Sequence, residues 1–194
     1  MDRILKLLPI VIILSALTSC GIFFTPMDDR WNPADPKNEL LTFNPSLDGY
    51  IEGGATWNDS SDLYVYPGSK ITLIRFDTAD FPRVVAASYL QLSATSELSP
   101  GLVLEIFRIT NDWDPSRILY YDVTPGDFYD DSVVAAFPIT GYVSDIEIPL
   151  GEVFRGNRDD LANGIVIFSS QNVTFHSSET GLSGTSPFLL VEPE

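Results

Sequence analysis

The chain has 194 residues, with 11 Lys and Arg against 27 Asp and Glu and a formal net charge of −16 at pH 7. That balance excludes a broad nucleic-acid or polyanion interface, which needs clustered Lys and Arg, and favours neutral ligands or divalent cations. With 44% hydrophobic and 12% aromatic residues the chain can bury the core of one domain, and its single cysteine leaves no intrachain disulfide to staple it.

Residues 1–19 read as a lipoprotein signal peptide. Arg3 and Lys6 supply the positive end, Ile4 to Leu17 is almost wholly apolar, and Leu17-Thr18-Ser19-Cys20 has the small residues before cysteine of a lipobox. As a helix the apolar core would be only about 20 Å long against the ~30 Å of a bilayer interior, which disfavours a permanent span. Cys20 is thus the expected lipid-attachment residue, and two or three acyl chains on it would hold the protein at the membrane. Losing the leader removes Arg3, Lys6 and Asp2, so 11 basic and 27 acidic residues become 9 and 26. Gly21, not an aspartate, follows the cysteine. The expected address is therefore the bacterial envelope, most simply the outer membrane, facing the periplasm or the surface.

Residues 20–46 carry Pro26, Pro33 and Pro36 among Asp28, Asp29, Asp35 and Asn38, a composition of a tether. Leu40 to Phe43 are expected to pack on the domain that follows. From 47 to 194 the pattern becomes that of strands: Ile71–Thr78, Leu90, Leu92 and Ala94 alternating with Tyr89, Gln91 and Ser93, Val103–Ile109, Arg117–Val123, Val133–Phe137, Tyr142–Leu150, Gly164–Ser169, Val173–Ser178 and Pro187–Val191. Breaks fall at Ser99-Pro100-Gly101, Thr124-Pro125-Gly126, Thr140-Gly141 and Gly181 to Gly184. Only Gly151 to Leu161 looks locally helical, as a single turn interrupted by Gly156 and Asn157. Short strands at this spacing predict an all-β antiparallel sandwich of the jelly-roll kind.

The residues from Asp48 onward also carry a resemblance. Asp48-Gly49-Tyr50-Ile51-Glu52-Gly53-Gly54, Leu63-Tyr64-Val65, Leu73-Ile74-Arg75-Phe76-Asp77, Ala87-Ser88-Tyr89-Leu90-Gln91-Leu92, Phe107-Arg108-Ile109-Thr110 before Trp113-Asp114, Asn163-Gly164-Ile165-Val166-Ile167, Phe175-His176-Ser177-Ser178-Glu179 and Pro187-Phe188-Leu189-Leu190-Val191 follow in that order. This order resembles the DNRLRE-type domain, a jelly-roll-like sandwich of secreted and surface proteins that includes carbohydrate-binding modules. The resemblance implies a non-catalytic module, a packing role for Trp113, and a structural strand end at His176 to Glu179. The chain departs from the pattern after Trp113, where Tyr120 to Asp131 is acidic and aromatic; that acidity argues against alginate.

Three kinds of chemistry remain. His176 with Ser178 and Glu179 has the residue types of a hydrolase triad but lacks a Gly-x-Ser-x-Gly elbow, so no enzyme is expected; Glu179 should accept hydrogen bonds from backbone or from an arginine such as Arg75. Aspartate-rich segments suit calcium: Asn58-Asp59 with Asp62, Asn111-Asp112 with Asp114, Asn157 with Asp159 and Asp160, and foremost Asp127, Asp130 and Asp131. Trp57, Trp113, Tyr120, Tyr121 and Tyr129 lie at strand ends or loops, where aromatics either stack on the apolar face of a neutral sugar or cap the core. The function expected is a membrane-anchored lipoprotein whose sandwich binds a neutral glycan or another extracellular ligand, the alternative being an envelope assembly protein that contacts other proteins.

Overall fold

A computed structural model describes residues 40–150, 161–182 and 184–194. The signal peptide, Cys20, the tether up to residue 39 and the expected helical turn from Gly151 lie outside the described residues, except that Leu161 is fully buried. The described residues form twelve strands: β1 (Leu41–Phe43), β2 (Pro45–Glu52), β3 (Ala55–Trp57), β4 (Asp62–Val65), β5 (Lys70–Phe76), β6 (Val85–Leu98), β7 (Val103–Ile109), β8 (Tyr129–Pro138), β9 (Val143–Pro149), β10 (Ile165–Ser169), β11 (Val173–His176) and β12 (Phe188–Pro193). The described residues contain no α-helix, and none of their helical turns is long and apolar enough to cross a membrane.

The strands form two antiparallel sheets. In the first, β6 is central: Tyr89–Leu98 pairs with β9 on one edge, while Val85–Gln91 pairs with β12 and Ala94 with Phe175 of β11 on the other, and β1 and β4 lie outside β12 and β11. The second sheet has the order β3-β2-β5-β10-β7-β8. From β4 on, the chain crosses repeatedly between the two. Inward side chains of both meet in one core, including Leu63, Ile74, Phe76, Leu90, Leu92, Leu104, Ile106, Ile148, Ile165, Ile167, Phe175, Leu189 and Val191. Alternation along β6 puts Leu90, Leu92 and Ala94 inside and leaves Tyr89, Gln91 and Ser93 part-exposed, as the period-two pattern predicts. At roughly 1.5–3 kcal/mol for each large apolar side chain, this burial is what a fold without disulfides rests on.

Three expectations are revised. Residues 41–46, assigned to the tether, belong to the sheets: Leu41, Thr42 and Phe43 pair with Val191, Leu190 and Leu189, and β2 starts at Pro45. Arg117–Val123 is not a strand. Asp114 Oδ1 accepts from the Ser116 N–H and hydroxyl (2.9 and 2.6 Å), the Arg117 and Ile118 N–H groups turn back to Asp114 O, and Tyr120–Asp122 is a single 3-10 turn. Of the segment's apolar residues Ile118 and Val123 are buried, without strand pairing. Ile118 and Val123 join Trp113 and Phe128 in a second cluster against Ile51, Ile71, Leu73, Ile109 and Val166 on the outer face of the second sheet. Finally, Glu179 is exposed and does not receive Arg75, whose guanidinium donates to Asp112 Oδ1 and to Trp113 O (both 2.8 Å).

Close packing of that sheet demands a glycine where β10 begins. Gly164 has φ +88°, and a Cβ there would sit 2.2 Å from Ile74 O and 2.9 Å from Arg75 Cα, both backbone atoms of β5. Gly164→Ala should lower the unfolding free energy by about 3 kcal/mol or more, because strain and overlap act together. Gly141→Ala, with open space around it, should stay within about 0.5 kcal/mol of the parent. Urea denaturation of the two variants measures both.

Candidate functional site

The five aromatic residues expected at a ligand site do not come together. Trp113 is core: 7% exposed, its indole N–H donates to Asn163 O (2.8 Å) and the Arg75 guanidinium lies 4.7 Å from its ring centre. Tyr129 packs with Phe107 (4.9 Å between ring centres) and Phe168 (5.5 Å), and Tyr120, half-buried beside the same cluster, donates its N–H to Gly53 O. These three cover the outer face of the second sheet. Tyr121, 69% exposed, and Trp57, 51% exposed, are the two that face solvent.

The calcium candidates are likewise apart. Asp130 accepts from Arg108 (2.6 Å), Asp127 offers its backbone carbonyl to the Asn111 amide, and Asp131 lies against the turn at Gly126. Asp112 is held by Arg75, while the hydrogen bonds from Ser116 hold the Asp114 carboxyl below the usual carboxylate range. Among the described residues no group of three or more acidic, histidine or cysteine side chains converges to hold a metal ion. The Asp112, Asp114 and Asp130 carboxylates are each engaged by a local turn or an arginine. Asn157, Asp159 and Asp160 lie outside the described residues.

Among the described residues no hydroxyl bonds His176 Nδ1. Ser177 donates to Ser60 O (2.5 Å), and Ser178 donates both its N–H (2.8 Å) and its hydroxyl (2.7 Å) to Asp48. His176 Nδ1 lies 4.0 Å from Asp62 Oδ1. Asp48, on β2, is only 2% exposed and joins the second sheet to the turn after β11, a latch between the two layers. Burial raises its carboxyl above the usual range, outweighing the hydrogen bonds from Ser178 that favour the charged form.

What the structure does assemble is an aromatic corner around Trp57. On one face of the second sheet the register sets Trp57 beside Tyr50 and Tyr50 beside Thr72, and in the next row Ala55 beside Glu52 and Glu52 beside Lys70. The β4–β5 hairpin, closed by Tyr66 and Lys70 through reciprocal backbone bonds (2.9 and 3.0 Å), folds Tyr64 and Tyr66 over this face. The Trp57 and Tyr50 rings are nearly parallel (12°, 6.3 Å), Tyr64 meets Tyr50 edge-on at 4.8 Å, and Tyr66 meets Tyr64 edge-on at 5.6 Å. Lys70 Nζ lies 5.3, 4.5 and 5.2 Å from the Tyr50, Tyr64 and Tyr66 rings and 3.1 Å from Glu52 Oε2. Gly49 lets the chain after β3 close on β2: a Cβ there would lie 2.7 Å from Trp57 O.

Burial and close partners set the protonation states at this corner. Burial would lower the Lys70 ammonium, but the Glu52 hydrogen bond and charge prevail and hold it above its ordinary value. Burial raises the Tyr50 phenol against the opposing charge of Lys70, and burial with the Asp62 carboxylate raises Tyr64. The corner thus sets neutral phenols, an enclosed ammonium and the Glu52 carboxylate beside a half-exposed indole. Of its residues the sequence reading held only Trp57; the missed signal is Tyr64-x-Tyr66 leading through a Pro-Gly-Ser turn to Lys70.

For Asp48 the raised carboxyl sets a sign. The acid form favours the folded state, so its contribution is full below the ordinary carboxylate pKa of about 4 and is lost as pH rises through the raised folded value. Asp48→Asn, uncharged throughout, should gain stability relative to the parent as pH rises from about 4 to 7. Urea midpoints of both chains across that range test this, and parallel curves would exclude it.

No protein-family model matches the sequence, and no curated protein aligns with it significantly.

Proposed function

We propose that this chain is a non-catalytic binding module, held at the bacterial envelope by a lipid on Cys20, whose sandwich takes a saccharide or another extracellular ligand at the Trp57 corner. The observation that carries the reading is Trp57 itself: a half-exposed indole fixed by Tyr50 and by the close approach at Gly49, with hydrogen-bonding groups beside it. Aromatic faces beside placed polar groups are the combination that takes a neutral pyranose. The resemblance of the motif order to DNRLRE-type domains is in keeping with this reading. The chain's acidity accords with an uncharged ligand.

The assembly reading draws on a different surface. Tyr142 and Val143, exposed at the start of edge strand β9, and Val133, exposed on edge strand β8, supply apolar contact beside unpaired strand edges. A partner that co-purifies from detergent-solubilised membranes and is lost on Tyr142→Ser with Val143→Ser would favour this alternative.

Two measurements test the proposal. A fatty-acid label supplied to growing cells should enter the parent chain and be absent from Cys20→Ala. The full chain in detergent should bind at least one neutral glycan on an array, and Trp57→Ala should lose that binding with unchanged thermal unfolding; retention of binding would remove the corner from the site.

A further inference from the structure

The corner contains a step that suits one sugar ring. Along β3 the side chains of Ala55 and Trp57 share a face, about 7 Å apart for two residues of strand, and that of Ala55 is a single methyl group. Directly across from Ala55 is Glu52, and across from Glu52 is Lys70, so the pair at 3.1 Å borders the gap that the small residue leaves. Trp57 stands diagonally from Glu52, a separation of about 7–8 Å between Cβ atoms. Glu52 is half-exposed and can accept from a ligand, whereas Lys70 is largely enclosed by the three tyrosine rings and Glu52.

We propose that this notch, with Trp57 as its wall, Ala55 as its floor and the Glu52–Lys70 pair as its rim, receives a single uncharged pyranose unit. The inference rests on the saccharide reading above and adds the position, the class and the polar partner. The apolar face of the ring lies on the indole, and one hydroxyl donates to the Glu52 carboxylate, which Lys70 holds in place from behind. A uronate would set its carboxylate beside that of Glu52, so it is disfavoured relative to the neutral ring. Ala55 is the specificity element, since any larger side chain there occupies the space of the ring.

The test uses the full chain in detergent and soluble oligosaccharides of β-1,4-glucose, β-1,3-glucose and α-mannose, with oligogalacturonate and chitosan oligomers as charged controls, read by quenching of tryptophan fluorescence and by calorimetry. Ala55→Phe adds bulk at an exposed edge position, and Glu52→Gln keeps the shape while removing the charge. The expected result is a neutral oligosaccharide that binds the parent, loses all measurable affinity on Ala55→Phe and about 10-fold or more on Glu52→Gln, with both variants unfolding at the parental temperature. Loss of binding on Trp57→Ala with full binding by Ala55→Phe and Glu52→Gln overturns the notch and leaves the corner standing. Preference for either charged control overturns the ligand class, and absence of binding to every saccharide overturns the notch together with the reading beneath it.

Discussion

Burial of β5 and β10 on both faces is the constraint around which the molecule is arranged. Ile74, Phe76, Ile165 and Ile167 enter the core between the sheets, while Ile71, Leu73 and Val166 are covered by the chain from Thr110 to Phe128. That outer strap is itself irregular and must satisfy its own polar groups. It does so through the Trp113 indole on Asn163, Arg75 on Trp113 O, Thr56 on Ile118 O (2.8 Å) and Tyr120 N–H on Gly53 O. Asp112 is exposed, so its ion pair with Arg75 adds little to stability; the guanidinium stacked on the indole and bonded to backbone matters more. Gly164 belongs to the same arrangement, because a sheet packed on both sides cannot yield room to a Cβ against Ile74 O.

This covering decides where a ligand could meet the second sheet. With its outer face occupied, the sheet's strands show solvent two large hydrophobic side chains, Trp57 and Val133, at opposite edges. Val133 stands on a strand bearing Asp130, Asp131 and Ser132. Trp57 instead stands on aromatic neighbours, in a row fixed by strand register. The distinction is one of preorganisation: a ring already held against Tyr50 loses less freedom on binding than a lone exposed aromatic such as Tyr121.

The strands were largely legible because half-buried sheet imposes a period of two, as in Leu90, Leu92 and Ala94. That rule misread Arg117 to Val123, whose Ile118, Tyr120 and Val123 are apolar because they cover a sheet, not because they join one; the turn set by Asp114 and Ser116 was the contrary local signal. The site was less legible. Tyr50, Trp57, Tyr64, Tyr66 and Lys70 come from four strands and a hairpin, and only register sets Tyr50 beside Trp57 and Glu52 beside Lys70. Trp113 and Tyr129 have the same composition-level appearance as Trp57, and what separates them is burial by partners such as Asn163 and Phe168, far along the chain. The aspartates misled for a related reason: Asp130 is taken by Arg108, 22 positions away.

Charge is distributed between the sheets as unevenly as burial. Lys70, Arg75 and Arg108, the basic residues of the second sheet's strands, each face a carboxylate: Glu52, Asp112 and Asp130. The strands of the first sheet contain no Lys or Arg, yet carry Asp62, Glu97, Asp145, Glu147 and Glu192. The second sheet's strands carry as many acids, Asp48, Glu52, Glu105, Asp130 and Asp131, but set three bases against them, so the first sheet is the more negative layer, and Lys70 stands beside its edge strand β4 with its own charge already matched. A cation so placed exerts little long-range pull on anions. On the proposed reading, recognition at the corner would depend on stacking and short hydrogen bonds and not on steering, and would be nearly indifferent to ionic strength.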